Sequence, residues 1–183
     1  MKYLKFFHAF LIGALLVLST GAQAQKLISQ NWVVDLNGQK NEAYTANDSK
    51  SSFGVFCSGE KCLFYLHQAL KCDPGAKYSV LMNSQAVSTA LSMECTQIGG
   101  NLFQILDPFE AVLKATQTGE MIGFAVALQS GAFAVTRFSL AGAKPAIERA
   151  LLEAAKSKFR DQKPPLENPQ NTTPKSTLKD IAI

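Results

Sequence analysis

Hydrophobic and polar positions alternate with a period of two in several short runs, which is the pattern of strands with one buried face. The first such run is NWVVDL, in which Trp32, Val34 and Leu36 share one face. The following segment, 37–52, is rich in Asn, Lys, Ser and Asp and is interpreted as a loop or a weak hairpin. The pattern therefore predicts an early strand with a tryptophan on its buried side.

Two apolar runs, 53–56 and 63–70, flank the sequence CSGEKC. Both are short enough for strands, and the polar residues between them suit a turn. We therefore expect a hairpin that a disulfide between Cys57 and Cys62 would close.

A second hairpin is predicted within KYSVLMNSQAVSTALSMEC, where strand-like runs 77–82 and 85–94 surround the turn-prone pair Asn83-Ser84. If that pair forms the turn, the residue numbers of two opposed positions add up to 167. This register places Cys72 opposite Cys95.

A short helix is predicted after the turn QIGGN. Asp107 is placed at its N-cap, Pro108 at its first helical position, and Glu110 as the partner in a capping box. The helix FEAVLKATQTG should end at Gly119.

The runs MIGFAVALQ and FAVTRFSL then predict a hairpin around Ser130-Gly131-Ala132, buried on at least one face. Pro145 can open a second helix with an apolar stripe formed by Ile147, Leu151, Ala154 and Ala155. Many strands followed by two late helices predict one α+β domain over residues 25–162, built on an antiparallel sheet.

The chain begins with a pattern typical of a secretory signal peptide: Lys2 and Lys5, an apolar run over 6–18, and the exit Ala22-Gln23-Ala24. We expect cleavage after Ala24. A membrane anchor is the alternative, but the run is shorter than the ~20 residues that span a bilayer.

At the other end of the chain, residues 163–183 are rich in proline and polar residues, and this composition predicts a disordered tail. The end of the tail, 178–183, is a candidate docking peptide, with fraying as the alternative.

Loss of residues 1–24 would leave 159 residues and remove two lysines, so that the net charge falls from +4 to +2. The remaining basic residues are scattered, which argues against a nucleic-acid surface or a polybasic membrane patch. No later segment is long and apolar enough to cross a membrane. We expect a periplasmic or secreted protein.

Export to an oxidising compartment makes disulfides the simplest use of an even number of cysteines. Four cysteines permit three connectivities, and the hairpin register favours Cys72 with Cys95, which leaves Cys57 with Cys62. The alternatives are weaker, since zinc sites usually contain closer pairs and a thioredoxin-like site needs C-x-x-C.

His67 is the only histidine that remains after the predicted cleavage, and it lies in the apolar run FYLHQAL. A hydrogen-bonded structural role is favoured over a Ser-His-Asp relay, because no nucleophile motif such as G-x-S-x-G occurs. Asp107 and Glu110 are explained by capping. The sequence therefore predicts neither an enzyme nor a metal or cofactor site, and a small hydrolase that uses His67 is a third hypothesis.

The second half of the chain resembles the bacterial invasion-associated locus B family. The likeness covers about residues 30–155 and depends on Trp32 in the first strand, on the segment Ser139-Leu140-Ala141-Gly142, and on the alanine-rich helix that follows. The chain departs from the family pattern at 33–35, where the family often has a cysteine, and at Ala143, where it usually has an aromatic residue. The resemblance implies an exported, non-enzymatic protein linked to host-cell interaction or envelope fitness.

The leading hypothesis is an exported bacterial envelope or secreted protein that binds another macromolecule, a protein or cell-envelope partner, in host-cell association or invasion. The alternative is a periplasmic accessory factor, such as an assembly chaperone or an inhibitor of a secretion or cell-wall system.

Overall fold

The computed structural model describes residues 25–38, 40–98 and 100–161. The predicted signal peptide and the whole of the predicted tail lie outside these residues. The described part is mainly antiparallel β-sheet with two helices and two disulfides, and this agrees with the expected fold class. The strands are β1 (Gln25–Ser29), β2 (Trp32–Asn37), β3 (Lys40–Ala46), β4 (Ser52–Ser58), β5 (Lys61–His67), β6 (Lys77–Ser84), β7 (Ser88–Ile98), β8 (Asn101–Asp107), β9 (Met121–Ala127) and β10 (Phe133–Ser139).

All ten described strands belong to one sheet, in the order β1-β2-β3-β4-β5-β8-β7-β6-β9-β10, and the sheet bends into a half-barrel. Helix α1 (Phe109–Ala115) packs on β8 and β5, and helix α2 (Ala143–Asp161) packs mainly on β2, β3 and β4. The bend matters for packing, because it brings strands that are far apart in the sheet order into contact.

Phe53 on β4 lies at the centre of the core. Its ring contacts Trp32 and Phe64 in its own half of the sheet, with centroids 5.8 and 6.0 Å away. It also contacts Phe124 on β9 at 5.1 Å and Phe138 on β10 at 5.7 Å, although four strands separate β4 from β9. Each of these aromatic side chains is almost fully buried. Burial of such rings contributes a large share of the apolar stabilisation of the half-barrel.

The polar segment that was interpreted as a loop or a weak hairpin contains the seven-residue strand β3. Its inward residues Asn41, Ala43 and Thr45 are buried against α2. These side chains are small or polar, so the alternation that would indicate a strand is weak in this segment.

The predicted turn at Asn83-Ser84 is wrong by two residues. Ser84 belongs to β6, and its backbone N–H donates to the Val87 carbonyl at 2.8 Å, so that the turn follows Ser84. Opposed positions therefore sum to 171, with Val80 opposite Leu91.

The predicted cap of the first helix is also wrong. Asp107 is the last residue of β8, Pro108 is the N-cap, and no side-chain hydrogen bond caps the helix. Helix α1 ends at Ala115, four residues before Gly119. The strand β8 was missed because it carries apolar residues on both faces, Leu106 inward and Phe103 and Ile105 outward, which hides the period of two.

Helix α2 begins two residues before Pro145, which lies in its first turn. Its buried face consists of Ala143, Ala146, Ile147, Ala150 and Ala154. The predicted stripe was therefore right for Ile147 and Ala154 but not for the exposed Ala155. Small alanines let the helix approach the sheet closely.

Candidate interaction surface

The four cysteines form two disulfides, Cys57–Cys62 and Cys72–Cys95, with Cα atoms 4.0 and 6.0 Å apart. The pairs are the ones favoured from the sequence, but the register that suggested the second pair is not the observed one. Ala76 lies opposite Cys95, whose N–H donates to the Ala76 carbonyl at 2.9 Å. Cys72 reaches Cys95 through the turn between Asp73 and Ala76. With every cysteine oxidised, no thiolate is available as a nucleophile or metal ligand.

His67 lies at the end of β5, with Nδ1 2.9 Å from the backbone carbonyl of Leu102 and its ring 5.0 Å from that of Phe103. This environment fits the structural role expected for it. Within the described ranges, no group of three or more His, Cys, Asp or Glu side chains is placed to hold a metal ion.

Exposed apolar side chains are concentrated on one part of the sheet. Eight large hydrophobic residues of the described chain are exposed, and five of them lie on or beside β6, β9 and β10: Leu81, Met121, Leu128, Phe133 and Val135. Phe133 and Val135 are 58% and 55% exposed. Because these exposed apolar side chains are grouped rather than scattered singly, this part of the sheet is a candidate interaction surface.

A shallow groove runs along β9 within this area, and we call it the β9 groove. The small residues Gly123 and Ala125 on the outward face of β9 form its floor, and the larger Met121 lies at one end of the same face. Its walls come from the neighbouring strands, because Ala125 pairs with Leu81 on one side and with Val135 on the other. A cavity of about 290 Å³ lies over this floor.

The strand β10, which forms one wall, is an edge of the sheet. Two hydrogen bonds at the ends of the β9–β10 hairpin show which residues of β10 bond to β9. Leu128 N–H donates to the Ala132 carbonyl, and Leu140 N–H donates to the Glu120 carbonyl. The residues on the β10 side of both bonds, Ala132 and Leu140, have even numbers. Because bonding direction alternates along an antiparallel strand, the odd-numbered residues of β10 direct their N–H and C=O groups away from β9.

Half of this edge is already covered. The carbonyl of Arg137 accepts a hydrogen bond from Asn47 Nδ2 at 3.2 Å, and the carbonyl of Ser139 accepts one from Trp32 Nε1 at 2.9 Å. Among the residues that the structure describes, no such partner lies against Phe133 or Val135. The open edge therefore coincides with Val135, which forms a wall of the groove, and with the neighbouring Phe133, and these are the two most exposed apolar side chains of this part of the sheet.

Arg137 gives the groove its charge. The Cγ atom of its side chain lies 3.7 Å from the position that a Cβ atom would take at Gly123, so the aliphatic stem lies across the floor. No acidic side chain in the described ranges forms an ion pair with this guanidinium. The groove thus combines apolar walls, an open strand edge and one positive charge.

Sequence reasoning predicted the β9–β10 hairpin but missed this surface. Edge position depends on the order of all ten strands, which no local pattern gives. The one local signal was the alternation Gly123-x-Ala125-x-Ala127, which places small residues on a single face of a strand.

We found no match to the chain among protein-family models, curated proteins or solved structures. The suggested likeness to the invasion-associated locus B family therefore stays a prediction.

Proposed function

We propose that this protein is an exported binding protein that recognises an extended polypeptide segment, which pairs with the open edge of β10 and fills the β9 groove. The observation that carries the proposal is the coincidence of unpaired backbone groups and exposed apolar side chains at Phe133 and Val135. Addition of a strand to a sheet edge is a common mode of peptide recognition, in which backbone hydrogen bonds give affinity and side-chain pockets give specificity.

The chemistry of the groove defines the partner. Alternate residues of an added strand point to the same face, so its apolar side chains should occur at every second position. The Arg137 guanidinium favours a carboxylate at the matching end of the segment. We expect a partner sequence with alternating apolar residues and an acidic side chain.

The disulfides support the exported state, because disulfides persist in oxidising compartments and both pairs are formed. A periplasmic or secreted location fits this observation, and a role in host association requires that the groove faces the outside of the cell. None of the described helices is long and apolar enough to span a membrane.

A random peptide library displayed on phage tests the proposed specificity. Selected peptides should alternate apolar positions and carry an acidic residue. Val135→Pro removes one outward N–H and is tolerated on an edge strand, so it should lower peptide affinity by about tenfold or more. Val135→Thr is the matched control, since it keeps the N–H and the branched shape and should lose less than about threefold.

Equal affinity for both variants would exclude strand addition. Ile28→Asp controls for the loss of an exposed apolar residue elsewhere, because Ile28 is 80% exposed on β1 at the opposite end of the sheet order. It should leave peptide affinity unchanged.

Protease treatment of intact cells tests the location. Cleavage or release of this protein while a periplasmic control stays protected would support a surface or secreted role. Protection until the outer membrane is opened would instead support an accessory factor within the envelope.

A further inference from the structure

A second pocket opens on the outward face of the other half of the sheet. Its volume is about 180 Å³, and its walls are mainly apolar side chains from β4, β5, β7 and β8: Phe56, Leu63, Ile98, Phe103 and Ile105. Glu42 on β3 and Tyr65 on β5 supply its polar atoms. The pocket shares no residue with the β9 groove.

Tyr65 holds the carboxylate in place. Its hydroxyl donates a hydrogen bond to Glu42 Oε1 at 2.5 Å. The Tyr65 side chain is itself fixed, since it is 4% exposed and its ring meets the edge of the Phe103 ring with centroids 5.4 Å apart. The carboxylate is therefore oriented by a rigid neighbour.

Glu42 has no cationic partner among the described residues. Its cross-strand neighbour on β2 is another acid, Asp35, which in turn lies opposite Lys26 on β1. Burial raises the pKa of Glu42, the hydrogen bond from Tyr65 lowers it, and the charge of Asp35 raises it further. A carboxylate in apolar surroundings is most stable when a cation pairs with it.

We propose that this pocket binds a small apolar amine, whose ammonium group pairs with the Glu42 carboxylate while its hydrocarbon body lies between Phe56, Leu63 and Phe103. The size suits one ring, since an apolar cavity of about 150 Å³ holds benzene. The ammonium group would donate a charge-assisted hydrogen bond to the oriented Glu42 carboxylate, and the apolar body would be buried against apolar side chains.

Binding of 2-phenylethylamine, followed by chemical shifts of the pocket residues in the intact domain, tests the proposal. The neutral 2-phenylethanol has nearly the same shape without the charge and should bind at least about tenfold more weakly. Glu42→Gln keeps the shape and the acceptor for Tyr65 but removes the charge, so it should abolish the preference for the amine. Equal binding of the two probes by the unaltered protein, or an unchanged preference in Glu42→Gln, would overturn the proposal.

Two further measurements identify the source of the amine and distinguish this pocket from the β9 groove. Nα-acetyl-lysine methylamide presents the same ammonium as a polypeptide side chain, and tighter binding than 2-phenylethylamine would identify a protein lysine as the natural source. Val135→Pro should bind 2-phenylethylamine normally, so that failure of the groove proposal and failure of the amine proposal give different results.

The titratable groups that face Glu42 are Tyr65 and Asp35, with Lys26 beyond Asp35. Amine affinity should therefore rise with pH as Glu42 ionises, and the Glu42→Gln variant should lack this rise.

Discussion

The indole N–H of Trp32 donates a hydrogen bond to the backbone carbonyl of Ser139 at 2.9 Å, and it joins β2 to the end of β10 across 107 residues of sequence. The Trp32 side chain is fully buried, and its ring packs edge-on against Phe53. Together with the contacts of Phe53 with Phe124 and Phe138, this bond joins the two halves of the curved sheet.

Trp32→Phe should destabilise the protein by about 2 kcal/mol, because it removes the donor to Ser139 and leaves a space in the core. Urea denaturation followed by circular dichroism measures the change. Leu152→Ala is the control, since Leu152 is 51% exposed on α2 and its loss should cost less than about 0.5 kcal/mol. A similar loss in both variants would show that Trp32 does not hold the sheet halves together.

Gly142 makes a close backbone approach at the start of α2. Its φ angle is +86°, and a Cβ atom there would lie 2.0 Å from the Ser29 carbonyl oxygen, while Ser29 Oγ donates to the Gly142 carbonyl at 3.1 Å. Gly142→Ala should therefore cost about 3 kcal/mol or more in unfolding free energy. Gly131 is the matched control, since it has a φ angle of +85° but open space around it, and Gly131→Ala should cost only about 1 kcal/mol. Equal costs would mean that the contact with Ser29 relaxes freely.

The Cys72–Cys95 disulfide closes a loop between residues 23 apart in sequence, whereas Cys57–Cys62 closes one between residues five apart. Replacement of Cys72 and Cys95 by alanine should lower the free energy of unfolding by about 3 kcal/mol, because the unfolded chain gains the entropy of the long loop. Replacement of Cys57 and Cys62 should lower it by about 2 kcal/mol, because their loop is shorter. Thermal unfolding of the two double variants compares them. A larger loss for Cys57–Cys62 would show that loop entropy does not dominate.

Burial gives Glu42 a pKa above its ordinary value, so the folded protein holds this proton more tightly than the unfolded chain. The corresponding stability is present below the unfolded pKa of about 4.5 and is lost as the pH rises through the raised folded value. Glu42→Gln should therefore stabilise the protein relative to the unaltered chain at neutral pH, and the difference should shrink as the pH falls. Urea unfolding from pH 4 to pH 7 measures it. The exposed Glu120→Gln is the control, and a matching pH dependence there would contradict the assignment to Glu42.

Local patterns predicted the elements that show a clear alternation of buried positions or a clearly polar turn. Trp32, Val34 and Leu36 alternate with less buried residues, and the hairpin around Cys57 and Cys62 has polar residues at its tip, so both were recognised. The resulting α+β class and late helices follow from these elements.

Other features depend on contacts that are distant in sequence. The segment of β3 was predicted only as a loop or a weak hairpin, because the inward residues that α2 covers are small or polar. Strand β8 was missed because it is apolar on both faces. The β9 groove depends on which strand lies at the sheet edge, and the amine pocket depends on Glu42 and Tyr65 lying on strands separated by β4. A single sequence gives no direct signal for either arrangement.

Amide hydrogen exchange at Val135, followed by NMR with and without a selected peptide, tests the central claim most directly. In the free protein, the Val135 N–H should exchange much faster than the N–H of Thr136, which bonds to β9. The peptide should slow exchange at Phe133 and Val135 and leave Thr136 nearly unchanged. Slow exchange at Val135 in the free protein, or no change there when the peptide binds, would contradict recognition by strand addition.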